Sequence, residues 1–529
     1  MYKITNFFNT NNIEGELFMN NNDKSLITNE WLSEDEYRTK PLYDDVSKNL
    51  EYISKTFGNS FDLVVREIVL KNDHQEIRLG ISVMEGLSDT TFINESILGD
   101  LTRRFNNLGQ KIKKTELLEY FERTLLPITN IVLESEYGYL INHLLNGDTI
   151  LMIDGYPSFF AITSKKFMQR AIEEPKNKIS VKGSKESFNE SLATNISLLR
   201  RRMRNPNLWV KSMVIGKKTN CNIAIVYIKG VADESILDKI VNRLNQQEID
   251  SIVDSAYLKY YLKEEQNSIF PLIYDTERPD SVMGSLYEGR FAIVVDGSPD
   301  VLVAPVTFFN FLTSVEDYYN KTFVGTALRL LRLIAVAFAL FLPGLYMCVV
   351  KFNSELLPIN MIYSISGQRA NVPLPADLEV ILTLFAFDLL TEAGTRMPRA
   401  VGTALSFVGA IVIGQAAVEA NLISSMMLIV VAVNGIGTLL IPDYDMGQTL
   451  KFIRYFILIF SLAFGILGFT VSSFLLLVHL VSLRSFGKPY MQPIAPLVGS
   501  GLLDSIIIAP LGKLLKRKKK VKGGENEKN

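Results

Sequence analysis

The run LIAVAFALFLPGLYMCVV, residues 333–350, contains no charged side chain. Three further uncharged runs follow it, at residues 401–418, 422–441 and 455–483. An apolar stretch of about 18 residues or more can cross the hydrocarbon layer of a bilayer as a helix, and each of the four runs reaches that length. The sequence therefore predicts an α-helical multi-pass membrane domain over residues 326–498.

The two ends of the chain bear on the number of crossings. Residues 1–23 contain no basic segment followed by an apolar one, so they do not resemble a signal peptide and are expected in the cytoplasm. The tail carries seven Lys or Arg residues between Lys513 and Lys522, which favours the cytoplasmic side. Two cytoplasmic ends require an even number of crossings. We predict four, or six if residues 356–390 also cross, in which case the run 455–483 must divide into two.

The polar front of the chain shows signs of an α/β fold that occurs twice. Apolar strand-like segments end at Gly86 and again at Gly230. Strand, Asp-Gly turn and strand follow around Gly155 and again around Gly297, at nearly the same offset along the chain. Two landmarks at nearly one offset predict a cytosolic N-terminal region of two repeated α/β subdomains, although two similar folds by chance would give the same spacing.

These patterns divide the chain into five parts. They are a mobile leader (residues 1–40), a first α/β subdomain (41–165), a second α/β subdomain with a basic linker helix (166–325), the membrane domain (326–498) and a basic cytoplasmic tail (499–529).

The basic linker helix carries the run LLRRRMR, residues 198–204. Arg200, Arg201 and Arg202 are candidates for binding a phosphate, a lipid headgroup or an acidic neighbour. A solvated helix face or ion pairs within the chain would explain the same run.

Catalytic and metal-binding signatures are absent from the sequence. It contains no P-loop, HExxH, GxSxG or CxxC motif, and no GxGxxG after a strand. Cys221 and Cys348, the two cysteines, lie too far apart in sequence to build a disulfide framework or zinc site. We therefore expect no enzyme activity, no cofactor, no metal site and no nucleic-acid partner.

Polar groups in or beside the apolar runs are candidate functional residues, because charge is costly to bury in hydrocarbon. They are Asp388, Glu392, Arg396, Arg399, Glu419 and Asn434. One helical stripe of the run 401–418 also carries small and hydroxyl residues, the pore-lining candidates Thr403, Ser406, Ala410 and Ile413. The stripe is compatible with a narrow pore or with close helix packing.

Several strings resemble one known family. They include EEPKNKISVKGSKESFNE from Glu173, EGRFAIVVDGSPDVLVAP from Glu288, LPGLYMCVV from Leu342, SFVGAIVIGQAAVEANLIS from Ser406 and HLVSLRSFGKPYMQPIAP from His479. Together they resemble the GerA family, the A subunits of bacterial spore germinant receptors, from about residue 50 to residue 496.

The resemblance implies a multi-pass protein of the spore inner membrane with both termini in the cytoplasm. It implies two partners, a permease-like B subunit that binds nutrient and a C subunit that is a lipoprotein. It also implies self-association into a ring, proposed to be a pentamer, that conducts monovalent cations when nutrient binds and so triggers germination.

Three other functions compete with this interpretation. A paralogous germination protein, encoded with the dipicolinic-acid channel, would amplify ion release instead of receiving nutrient. A solute transporter would carry the solute in its own membrane cavity, although no inverted repeat is visible in the membrane block. A scaffold would only hold a complex at the membrane through its basic patches.

Overall fold

The structure is a computed structural model. It describes residues 40–108, 111–125, 129–166, 182–246, 249–265, 267–396, 414–499, 501 and 505–508. The predicted leader up to residue 39, and the predicted tail apart from residues 499, 501 and 505–508, lie outside the described residues. The chain forms two compact units. We call residues 1–180, 184–263 and 275–305 the α/β unit, and residues 181–183, 264–274 and 306–529 the helical unit.

The first half of the α/β unit is a five-stranded antiparallel sheet in the order β1-β2-β4-β5-β3. Its helices cover both faces, because alternate residues of β4 join different apolar clusters. The elements are α1 Val46–Thr56, β1 Leu63–Lys71, β2 Glu76–Met84, α2 Thr90–Phe92, α3 Gly99–Asn106, α4 Leu117–Leu125, β3 Ile131–Glu134, α5 Tyr137–Leu145, β4 Thr149–Ile153 and β5 Phe159–Ile162.

The second half has the same strand order, β6-β7-β9-β10-β8, so the predicted repeat is confirmed. Strands β9 and β10 are buried at every residue. The elements are α6 Leu192–Arg202, β6 Leu208–Ile215, β7 Cys221–Ile228, α7 Glu234–Gln246, α8 Ser255–Leu262, β8 Tyr274–Thr276, α9 Pro279–Tyr287, β9 Phe291–Val295 and β10 Val301–Ala304.

The repeat extends to side-chain hydrogen bonds at the start of α1 and α6. In the first half, Asp154 accepts from the backbone N–H of Val46 at 3.3 Å. In the second half, Asp296 accepts from the N–H of Leu192 at 3.2 Å. Each aspartate belongs to the Asp-Gly turn detected in the sequence. The turn therefore supplies a carboxylate to the positive end of the first helix in each half.

The helical unit contains the apolar runs. Its elements are a 3₁₀ turn Phe308–Leu312, α10 Glu316–Tyr319, α11 Thr322–Met347 with a π-helical extension Cys348–Phe352, α12 Ile359–Arg369, α13 Ala376–Arg396, α14 Ala417–Glu419, α15 Ser425–Leu439, α16 Tyr444–Ser482, β11 Arg484–Ser485 and β12 Lys488–Pro489. Residues 356–390, which cross only in the six-crossing alternative, contain α12 and most of α13. Helix α13 has 21 residues, about 31 Å at 1.5 Å per residue.

Helix α16 is not one straight helix. Gly465 has non-helical backbone angles (φ 59°, ψ −139°) and divides it into residues 444–464 and 466–482. Both ends of α16 reach the same short segment, since Thr449 Oγ1 donates to the carbonyl of Ile269 at 3.1 Å and Ser485 Oγ donates to that of Leu272 at 2.8 Å. The two parts are therefore an antiparallel hairpin with Gly465 at its tip.

This hairpin bears on the predicted number of crossings. The four-crossing count treats residues 455–483 as a single crossing, but the helix in this run reverses at Gly465. Glycine tolerates the positive φ that an L side chain rarely adopts, and a Cβ there would lie 2.9 Å from Phe352 Cγ. The run therefore divides into two, as the six-crossing alternative requires.

Two helices are long and apolar enough to cross a membrane, residues 322–352 and 444–482, among those that the structure describes. Large apolar side chains of the second helix point outward, with Phe452 69%, Leu467 71% and Phe474 65% exposed. Polar Asn434 and Arg454 are instead 0% and 1% exposed. Apolar residues outside and polar residues inside are typical of a bundle surrounded by lipid.

Candidate functional site: buried charges of the helical unit

An ion pair joins α13 to α16 inside the helical unit. Arg454 Nη2 lies 2.5 Å from Asp388 Oδ2, and the Arg454 side chain is 1% exposed. The hydroxyl of Tyr455 donates to the same carboxylate oxygen at 2.7 Å. The Asp388 carboxylate therefore accepts two hydrogen bonds from α16, one of them from a charged donor.

Asn434 of α15 extends this pair to a third and a fourth helix. Its Oδ1 accepts from Arg454 Nη1. Its Nδ2 donates to the backbone carbonyls of Phe338 at 3.0 Å and Ala339 at 2.7 Å, both in α11. One chain of hydrogen bonds therefore connects α11, α15, α16 and α13 through polar groups shielded from the surroundings.

A second buried acid lies nearer the tip of the hairpin. Glu379 in α13 is 0% exposed, and its Oε1 accepts from the backbone N–H and the hydroxyl of Ser424 at 2.7 and 2.6 Å. Ser424 is the N-cap residue of α15, so a negative charge lies at the positive end of that helix. Arg369 Nε is 3.7 Å from Glu379 Oε2.

A third cluster lies where α11 begins. Asp317 of α10 has a fully buried side chain, 0% exposed. Its Oδ2 binds Arg329 Nε at 3.3 Å and Arg332 Nη1 at 2.7 Å. Both arginines belong to the first half of α11, so this carboxylate anchors that half of the helix.

The basic run of the linker helix serves the α/β unit itself. Arg200 is 0% exposed and forms a bidentate pair with Asp62, at 2.6 and 2.9 Å. Arg201 and Arg202 both bind Glu186. The structure thus uses all three candidate arginines in ion pairs within the unit.

The other predicted site residues are placed as follows. Asp388 and Asn434 meet in the network around Arg454, whereas Glu392 is half-buried in α13. Glu419 is exposed and accepts from Gln415 at 3.2 Å. Outside the described residues lie Arg399, the side chain of Arg396 and the pore-lining candidates Thr403, Ser406, Ala410 and Ile413.

Burial shifts the pKa of several tyrosines outside the apolar helices. Desolvation, aided by the charges of Glu234 and Asp238, raises the pKa of Tyr227 to about 12. Desolvation also raises the pKa of Tyr137 well above its usual range. Among the described residues, no group of His, Cys, Asp and Glu could hold a metal ion.

A family model described as "Bacillus/Clostridium GerA spore germination protein" matches residues 51–520. This match covers most of the α/β unit and most of the helical unit. The chain belongs to the GerA family. The predicted family resemblance is therefore confirmed.

Named relatives agree with GerA membership. Spore germination protein KA of Bacillus subtilis is 39% identical over 88% of this chain and 84% of that protein. Spore germination protein B1 of the same organism is 34% identical over 88% of this chain and 95% of that protein. An uncharacterized membrane protein of B. subtilis, YfkQ, is 32% identical over 94% of this chain and 95% of that protein.

One solved structure is also similar to this GerA chain. It is the crystal structure of the N-terminal domain of the A subunit of the Bacillus megaterium spore germinant receptor GerK3. The identity is 30%, the TM-score is 0.40, and the likeness covers 51% of this chain and 98% of that one.

Sequence reasoning did not identify Arg454 or Glu379 of this GerA chain as site residues. Arg454 directly precedes the uncharged run 455–483 and was therefore outside the apolar runs that were searched for polar groups. In the structure α16 begins earlier, at Tyr444, which places Arg454 within the helix. The position of Arg454 well inside an apolar helix was the available signal, but it depended on knowing where the helix starts.

Proposed function

We propose that this GerA protein is the A subunit of a nutrient-sensing germination receptor in the spore inner membrane. Subunits would oligomerise into a ring, as a pentamer if the family resemblance holds to that detail. The ring would release monovalent cations when nutrient binds a permease-like B subunit. A lipoprotein C subunit would complete the receptor, and this chain would have no catalytic activity of its own.

The observation that carries this proposal is that the similarity to spore germination proteins spans both units. A scaffold would need only a membrane anchor. The helical unit instead contains a charged network inside an apolar exterior. Buried intramembrane charges usually mark ion pathways, relays or moving elements.

We propose six crossings with both termini in the cytoplasm. The order of contacts supports alternating directions. Helix α11 runs toward the hairpin tip, because Lys351 Nζ at its end contacts the carbonyl of Leu462. Helix α13 returns, since Asp377 contacts Lys351 and Thr391 contacts Lys451. The hairpin of α16 supplies the last two crossings, and the run 401–418 supplies the third on sequence grounds.

Cysteine labelling tests this topology. A cysteine replacing Ser364 in α12 should react with a membrane-impermeant maleimide added to intact cells, and one replacing Lys239 in α7 should react only after lysis. Protection of position 364 in intact cells, with labelling after lysis, would contradict the proposed orientation.

Potassium release tests the function. The chain would be expressed together with a B-type and a C-type subunit, in cells that lack other germinant receptors. We expect K⁺ efflux after addition of the twenty amino acids with glucose and a purine nucleoside. Absence of efflux from a complex that is assembled in the membrane and binds nutrient would exclude the proposed channel.

The paralogous germination protein stays as a second candidate because the similarity to YfkQ, named only as a membrane protein, covers both chains almost completely. That candidate predicts ion release that follows dipicolinic-acid release and does not respond to nutrient alone. The order of K⁺ and dipicolinic-acid release in spores that lack this chain distinguishes the two.

A further inference from the structure

Helix α11 contains a proline, Pro343, in its interior. Proline has no backbone N–H, so it cannot donate to the carbonyl four residues earlier, and its ring crowds that carbonyl. The carbonyl in question belongs to Ala339. Within an apolar helix, an acceptor without a donor is costly, and the helix can bend at this point.

Asn434 supplies the donor that Pro343 lacks. Its Nδ2 lies 2.7 Å from the Ala339 carbonyl and 3.0 Å from that of Phe338. Asn434 is 0% exposed, so no solvent competes for these bonds. Any bending of α11 at Pro343 is therefore linked to the position of the Asn434 side chain.

The same side chain holds the guanidinium of the buried ion pair. Asn434 Oδ1 accepts from Arg454 Nη1, and Arg454 Nη2 binds Asp388. If Asn434 moves with the bend, Arg454 loses a partner in a region where a partly satisfied arginine is costly. Such a network favours two discrete arrangements over a gradual deformation.

The part of α11 that precedes Pro343 is anchored, because Arg329 and Arg332 both bind the buried Asp317. The part that follows it packs closely on the hairpin, since a Cβ at Gly344 would lie 2.9 Å from Ser461 Oγ. Bending at Pro343 would therefore move the end of α11 together with the tip of α16.

We propose that Asn434 is a positioning residue that couples the bend of α11 at Pro343 to the Asp388–Arg454 pair, and that the intact chain of bonds holds the resting state. This inference rests on the proposed function, because it assigns the element that regulates ion release. We assign the arrangement described, in which these bonds are formed, to the resting state, so the proposal expects their loss to favour release.

Two measurements test the coupling. In the receptor complex, Asn434→Leu should lower the nutrient concentration for half-maximal K⁺ release by at least about fivefold, the smaller end of typical allosteric couplings. In the Pro343→Ala background, where residue 343 can donate to Ala339, adding Asn434→Leu should shift the concentration less, because only the bond to Arg454 is then lost without a replacement. Thr438→Val, in the same helix, is the control, because Thr438 Oγ1 donates only to the Asn434 carbonyl of its own helix at 3.2 Å. It should shift the concentration by less than about twofold.

The second measurement does not depend on ion release. Apparent melting temperatures of the detergent-purified chain should fall with Asn434→Leu, and fall less when Pro343→Ala is present. Equal falls in melting temperature with and without Pro343→Ala would overturn the coupling. So would an Asn434→Leu receptor that responds to nutrient as the Thr438→Val receptor does. A wild-type complex that never releases K⁺ would refute the proposed function, while the melting cycle would still decide the coupling.

Discussion

Arg200 in the α/β unit and Arg454 in the helical unit have side chains 0% and 1% exposed, and each binds one aspartate distant in sequence. The Arg200–Asp62 pair is bidentate and joins the two halves of the repeat. Arg454 makes a single contact with Asp388, through Nη2, and the Asp388 side chain is 19% exposed. Arg454 Nη1 donates to Asn434 instead.

The difference concerns how each pair is completed. Asp62 offers both of its oxygens to one guanidinium, so the pair is held in one bidentate geometry. Arg454 depends on side chains from two other helices, and one of those side chains also holds α11. The first pair therefore fixes two subdomains, whereas the second can respond to a movement of its neighbours.

The largest expected effect comes from breaking the fixed pair. Asp62→Ala leaves Arg200 buried and unpaired, which should cost about 3 to 5 kcal/mol of unfolding free energy. Trp209 is next to this joint, where a Cβ at Gly58 would overlap its ring, so tryptophan fluorescence can report it. Lys218→Ala removes an exposed pair with Asp250 and should cost less than about 1 kcal/mol. Comparable losses in both variants would refute the structural role of Asp62.

Breaking the Asp388–Arg454 pair of the helical unit should cost less stability than Asp62→Ala and change the nutrient response more. Arg454→Leu leaves Asp388 without its cation, but Asp388 is already 19% exposed, so we expect a loss of only about 2 to 3 kcal/mol of unfolding free energy. Adding Asp388→Leu should restore part of that loss. Detergent melting and the nutrient dependence of K⁺ release would be measured together. Asp62→Ala should reduce the amount of receptor without changing that dependence. If Asp62→Ala changed the nutrient concentration for half-maximal K⁺ release and Arg454→Leu did not, the proposed difference between the two pairs would be wrong.

A third comparison separates the side-chain contact at Trp209 from backbone strain near the Arg200–Asp62 pair. Gly58→Ala should cost about 2 to 4 kcal/mol, because φ is +64° and the new methyl would overlap the Trp209 ring. Gly297→Ala should cost only about 1 kcal/mol, since φ is +86° but no heavy atom lies within 4 Å. Urea midpoints of the two variants provide the measurement, and equal midpoints would mean that the Trp209 contact adds nothing.

The smallest effect is a pH dependence in the α/β unit. The pKa of Tyr227 is raised to about 12 in the folded protein, whereas an unfolded tyrosine has a pKa of about 10. Its contribution to the free energy of unfolding is therefore complete below about pH 10 and is lost as the pH rises toward 12. Tyr227→Phe should therefore lose less stability than the wild type between pH 9 and about pH 11.5. Tyr257→Phe, which changes a side chain 53% exposed, is the control and should follow the wild type. An unchanged slope for Tyr227→Phe would contradict this assignment.

The sequence predicted the α/β repeat well because turns have local causes. Gly155 and Gly297 both have positive φ, and each follows an aspartate that binds a helix start. These features depend on a few neighbouring residues, so their recurrence along the chain can be detected without knowing the fold.

The candidate site was only half predictable. Asp388 and Asn434 attracted attention because they interrupt apolar sequence, but their partner Arg454 lies just before an uncharged run and was not among the candidates. Gly465 gave no separable signal either, since Gly468 lies in the same run and a packing glycine and a reversing glycine are identical in sequence. Which of these residues meet depends on helix direction, which is set by contacts between distant segments.

Residues 264–274 leave the second α/β half, belong to the helical unit, and are followed by β8. The Leu272 carbonyl accepts its bond from Ser485, 213 residues later in the chain. A ribosome that adds roughly 5 to 20 residues per second needs on the order of 10 to 40 s to reach that serine. During synthesis the segment 264–274 is therefore made long before Ser485, and the Leu272 carbonyl can accept this bond only after the apolar helices have been synthesised.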